Sequence, residues 1–160
     1  MRRRALAMGG LVLALAVPNW AIWQKERTLA SGTPMLLELA PVDPRSLMQG
    51  DYMRLDYAMA RSIDARSGWP NDGLLVVTLD SAGVATFVRR YAPSVPVTAG
   101  ERLLRYRMRD GRVRVGSNAF FFKEGDANRY ARARYGELRV DARGTSVLVG
   151  LRDASRMPLH

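Results

Sequence analysis

Carboxylates are the only side chains of this sequence present in a number and type suited to acid–base chemistry. Asp43, Asp51, Asp56, Glu124, Asp126 and Glu137 are the candidates. Other catalytic chemistries lack their reagents. The single histidine is His160, which removes a Ser-His-Asp triad and a histidine-ligated metal, and there is no cysteine to act as nucleophile. Neither a G-x-x-x-x-G-K-[ST] loop nor a strand-linked G-x-G-x-x-G occurs, so the common nucleotide cradles are missing. A Ser-Lys dyad would have to use Lys25, beside an apolar segment, or Lys123, which is followed by Glu124. A hydrolase acting on an envelope polymer would need two of Asp51, Glu124, Asp126 and Glu137 in one cleft, about 5–10 Å apart. A domain of this size always carries several carboxylates, so no residue is assigned a catalytic role, and no metal or cofactor is expected.

The densest unusual segment is a polar corner. Asp43-Pro44-Arg45 is bracketed by proline, and Gly50-Asp51-Tyr52 follows a short turn and enters a strand. Gly50 permits a tight strand entry, Asp51 can accept backbone N–H groups, and Arg45 is near enough in sequence to pair with it. Two readings compete. In one, the Asp43, Arg45, Asp51, Tyr52 corner binds a ligand; in the other, Gly50 and Asp51 shape a turn while Leu55 and Tyr57 fill the core. Tyr52 and Tyr57 have opposite strand parity, so one should pack inward and the other outward. A second candidate group is Phe122, Glu124, Asp126 and Tyr130, which gains weight as a site only if it converges with the first.

These residues must be positioned by a β framework. Met35 to Leu39 reads as a strand, ended by Pro41 and Pro44, with one helical turn expected over Ser46 to Gln49. Apolar and polar residues alternate from Asp51 to Ala60, predicting a half-buried strand. Hairpins follow around Ser81-Ala82-Gly83, Asp110-Gly111 and Ala142-Arg143-Gly144. Ala119 to Lys123 reads as a short aromatic strand, and Ala127 to Arg134 as a helix capped by Asp126. The expected fold is mainly β with one short helix, an α+β arrangement of antiparallel hairpins in a single compact domain.

The first 24 residues are different in kind. Arg2, Arg3 and Arg4 precede an apolar run from Ala5 to Trp23, 19 residues long. As a helix it extends about 28 Å against a hydrocarbon core of about 30 Å, so a transmembrane anchor is expected, N-terminus inside. Cleavage after Ala14-Leu15-Ala16 as a signal peptide is the alternative. Residues 25–33 read as a short stalk and 34–160 as one extracytoplasmic domain. Absence of cysteine excludes a lipoprotein anchor and disulfides, leaving the domain to fold on its core. The net charge is +10, with 23 arginines and two lysines. Arg102, Arg105, Arg107, Arg109, Arg112 and Arg114 cluster on one predicted hairpin, either as a solvated face or as a binder of an anionic envelope ligand. Nucleic acid is not expected as a partner outside the cytoplasm.

With these residues in view, the segment Gly50-Asp51-Tyr52-Met53-Arg54-Leu55-Asp56-Tyr57 resembles the GDYXXLXY family, matching Gly50, Asp51, Tyr52, Leu55 and Tyr57. The likeness extends through Pro41-Val42-Asp43-Pro44-Arg45, Phe121-Phe122-Lys123-Glu124-Gly125 with Tyr130, Tyr135 to Val140, and Leu148 to Leu151. It implies a bacterial membrane-anchored protein, often encoded beside or joined to a multispanning membrane protein, and carries no catalytic residues with it. The expected function is therefore a periplasmic accessory or assembly module at the inner membrane, with a multispanning protein as partner.

Overall fold

The computed structural model describes residues 2–40, 48–49, 52–64 and 68–159; within these, side chains are described except at 2–7, 9, 11, 48 and 49. Helix α1 (Arg2–Ser31) leads into strand β1 (Thr33–Glu38). Two short strands follow, β2 (Met48–Gln49) and β3 (Tyr52–Arg54), then helix α2 (Ala58–Ser62). Next come β4 (Asp72–Leu79), β5 (Ala85–Arg90), β6 (Glu101–Arg109), β7 (Arg112–Val115) and β8 (Ala119–Phe121). Helix α3 (Ala127–Tyr130), β9 (Tyr135–Val140) and β10 (Ser146–Arg152) complete the chain.

The strands form three antiparallel sheets, ordered β1-β9-β10, β2-β3-β8 and β5-β4-β6-β7. A parallel bridge between Leu36 and Val84 ties the first sheet to the third, and an antiparallel bridge between Leu39 and Tyr57 ties it to the segment after β3. One core lies between them. Met35, Leu37, Leu55, Leu75, Leu104, Tyr106, Leu138 and Leu151 are its most deeply buried large side chains.

Turn chemistry explains the hairpins. Asp110 and Gly111 both have positive φ, 51° and 68°, as a two-residue turn matching strand twist requires. The other turns share a device that spacing alone does not reveal. Asp80 Oδ1 accepts the amides of Ala82 and Val84, both at 2.8 Å, while its own amide donates to the Val84 carbonyl. Asp141 repeats this with Arg143 and Thr145, and Asp153 with Ser155 and Met157. The left-handed position is Gly83, Gly144 and, in the third, Arg156 at φ 64°.

Several expectations are corrected. Among the described residues α2 is a helix beyond the N-terminal one and the single short one that were expected. The strand predicted over Asp51–Ala60 ends at Arg54, because the Tyr57 carbonyl accepts the amides of Ala60 (3.0 Å) and Arg61 (3.2 Å) and starts α2. Its inward alternation nevertheless persists through Met53, Leu55 and Tyr57, all buried. Gln49 and Met48 pair with Tyr52 and Met53 as a strand, so the helical turn expected up to Gln49 does not extend there. The helix expected over Ala127–Arg134 stops at Tyr130. There the sheet outcompetes it: the Arg134 amide donates to the Arg152 carbonyl, and the Arg134 carbonyl accepts from Leu39, each at 2.8 Å.

The polar stretch read as a stalk continues α1 to Ser31, since Gln24 to Arg27, Leu29 and Ala30 are good helix formers. Gly32 ends it, where a Cβ would collide with the Thr28 carbonyl. Among the described residues no helix is long and apolar enough to cross a membrane. From Met8, Pro18 and Asn19 interrupt the apolar run, and Gln24-Lys25-Glu26-Arg27 ends it.

Candidate functional site

Asp43, Arg45, Gly50 and Asp51 lie outside the described residues. Of the corner, the structure places Tyr52, Leu55 and Tyr57. Leu55 is 1% exposed, and its amide donates to the Asn118 carbonyl at 2.9 Å. Tyr57 is 2% exposed, and its hydroxyl donates to the Ser117 carbonyl at 3.0 Å. Burial pushes the Tyr57 phenol well above its ordinary range, so the hydroxyl stays protonated and acts as a fixed donor. A Cβ at Gly136 would lie 3.1 Å from the Tyr57 ring, so glycine there is what lets the ring lie against β9. Both residues thus hold the core together and present nothing to solvent.

Tyr52 points the other way. It is half-buried, and its ring lies 5.7 Å from that of Phe121, its direct partner across β3 and β8. Phe121 is 75% exposed, making this pair an aromatic surface on a three-stranded sheet. The adjacent residues turn inward. Phe120 meets Tyr130 edge-on at 4.9 Å, and Phe122 stacks on Tyr130 at 5.3 Å, so the single turn α3 is clamped beneath β8. Among the second candidates, Phe122 and Tyr130 are therefore packing partners.

The carboxylates are dispersed into local roles. Glu124 is exposed. Asp126 precedes α3 without a side-chain capping bond and pairs loosely with Arg129 at 3.6 Å. Glu137 on β9 accepts from Arg152 Nε on β10 at 2.8 Å, and Asp56 from Arg61 at the same distance. The described residues bring no three of Asp, Glu, His or Cys together as a metal site. Glu101 accepts from the Thr98 amide and from Arg89, and that amide, with the guanidinium, holds its carboxyl below the usual carboxylate range.

Two features escaped the sequence reading. One is the Tyr52–Phe121 surface, whose cross-strand register only tertiary pairing supplies; parity had signalled that Tyr52 faces outward. The other is a cluster in which Trp69 meets Tyr106 edge-on at 5.2 Å and carries the Arg90 guanidinium over its face at 5.6 Å. Within it the Tyr106 hydroxyl is buried with no hydrogen-bond partner among the described residues, and burial raises its phenol.

Along α1, Met8, Val12, Leu13, Leu15, Val17, Trp20, Ile22 and Trp23 are all exposed, and only near its end does Thr28 become buried against the domain. The helix therefore carries apolar surface that the fold leaves open. The family model described as GDYXXLXY protein matches residues 14–151. No curated protein and no solved structure matches the chain.

Proposed function

The chain belongs to the GDYXXLXY family, and from that premise we propose that it is an accessory or assembly module held at the inner membrane by α1, with its β domain in the periplasm and a multispanning membrane protein as partner. The observation that carries this reading is the unburied apolar surface of α1 from Met8 to Trp23. Apolar helix surface of this extent needs lipid or protein around it. Arg2 to Arg4 precede it, which favours an inside N-terminus and an outside domain.

Among the described motif residues the share of the contact falls to Tyr52 with its neighbour Phe121, because Leu55 and Tyr57 fill the core. Exposed aromatics backed by a rigid sheet make suitable interface anchors. The carboxylate-hydrolase alternative has weaker support, since Asp126 and Glu137 are engaged by arginines and Glu124 is exposed with no ion pair among the described residues.

The test is purification of the full-length chain from native membranes in mild detergent, comparing wild type with Phe121→Ser by quantitative mass spectrometry. One multispanning protein should accompany the wild type and be depleted from the variant. Equal recovery with both would remove the aromatic pair as the contact, and enrichment of no multispanning protein with either would overturn the accessory reading.

A further inference from the structure

We infer that the solvent face of the β6–β7 hairpin docks on an anionic phospholipid bilayer. Register makes the case. Arg107 pairs directly with Arg114, and Arg109 with Arg112, so each arginine pair projects from the same side of the sheet. Arg105 has the same parity, while Leu104, Tyr106, Val113 and Val115 of the opposite parity are buried. Five arginines therefore share one outward face. Asp72, opposite Arg107 on β4, is the acidic residue in register with them.

Like charges placed directly across a ladder destabilise it. Away from this face, four arginines, Arg61, Arg89, Arg129 and Arg152, each reach a carboxylate. Among the described residues no carboxylate lies within ion-pair distance of Arg105, Arg107, Arg109, Arg112 or Arg114. Such a face is stabilised when an external anion covers it. Its shape favours a surface over a small ion, because alternate strand residues are separated by about 6.8 Å and Arg105 to Arg109 extend roughly 14 Å.

Position selects lipid as the occupant. Gly32, where α1 joins the domain, packs on the Val140 amide, and the Asp141–Thr145 turn follows immediately. Gly144 in that turn accepts the Arg105 amide at 2.8 Å and lies against the Leu103–Leu104 backbone. One turn thus separates the C-terminal end of α1 from the base of the arginine face. This inference rests on the reading that α1 holds the domain at a membrane.

The experiment is flotation of the full-length chain with vesicles of phosphatidylcholine alone or with a third phosphatidylglycerol. Wild type should bind the anionic vesicles more tightly, and the gain should fade at high salt. Arg107→Gln/Arg114→Gln should lose about 25-fold of it, at roughly fivefold per arginine. Arg109→Gln/Arg112→Gln should lose as much, and both should melt no lower than wild type since repulsion is relieved. The off-face variant Arg132→Gln should keep the gain. Equal binding of wild type to both vesicles would overturn the lipid face while leaving the role of α1 intact. Binding to neither would overturn both. Soluble polyphosphate held without vesicles as tightly as the anionic vesicles would also overturn a bilayer as the occupant.

Discussion

Replacing Tyr57 by phenylalanine should cost about 1.5 kcal/mol at neutral pH and almost nothing near pH 11. The ring is 2% exposed and its hydroxyl donates to the Ser117 carbonyl at 3.0 Å. Deleting the hydroxyl removes a bond worth about 1 kcal/mol and leaves a part-buried carbonyl short of a donor, which adds some tenths more. For about 130 folded residues this corresponds to a fall in Tm of roughly 5 °C. The pH dependence follows from burial, which raises the Tyr57 phenol in the folded state. In the unfolded chain it ionises near pH 10. The contribution is therefore fully present below pH 10 and drains as pH rises, by about 1.4 kcal/mol per pH unit, because only the unfolded state releases the proton. Phenylalanine has no proton to lose, so the gap between the proteins closes by about 1.4 kcal/mol at pH 11. Tyr106, raised as well, is common to both and cancels. Urea unfolding of the full-length chains in one nonionic detergent, followed by tryptophan fluorescence at pH 7 and 11, measures both gaps. Equal gaps at the two pH values, or a gap below about 0.5 kcal/mol at pH 7, would refute the hydroxyl's role as a buried fixed donor.

Leu55→Ala, at a site 1% exposed, should cost about 3 kcal/mol through lost burial and a cavity, visible as a lowered urea midpoint with an unchanged slope. Gly144→Ala and Gly83→Ala should separate conformational strain from collision. Both glycines have φ near +80°, and Gly83 faces open space, so its alanine should cost about 1 kcal/mol. At Gly144 the added Cβ would lie 3.1 Å from backbone atoms of Leu103 and Leu104, so its alanine should cost roughly twice as much in the same unfolding assay. Similar values at the two positions would mean that the turn at Gly144 can yield.

The hairpins were legible because their determinants are local. Glycine at Gly83 and Gly144 and the Asp110-Gly111 pair dictate turns within four or five residues. Helix ends were less legible. Nothing local stops a helix at Tyr130; Arg134 is withdrawn by the Arg152 carbonyl on β10 and the Leu39 amide just after β1, far away in sequence. The same competition shortens β3, where Asn118 takes the Leu55 amide. The motif was half legible: parity separated Tyr52 from Tyr57, yet only the pairing of β3 with β8 shows that Phe121 is what Tyr52 meets.

The sequence by itself determined the antiparallel hairpins, the inward parity of Leu55 and Tyr57, and the family, since these depend on short-range periodicity, turn residues and a compact motif. Tertiary structure decided what those residues are for. It buried Tyr57 against glycine on β9, distributed the carboxylates among separate arginines, and put Arg107 opposite Arg114 on an uncompensated face. Those outcomes depend on contacts between residues far apart in the chain, and such contacts are fixed only when the whole core closes.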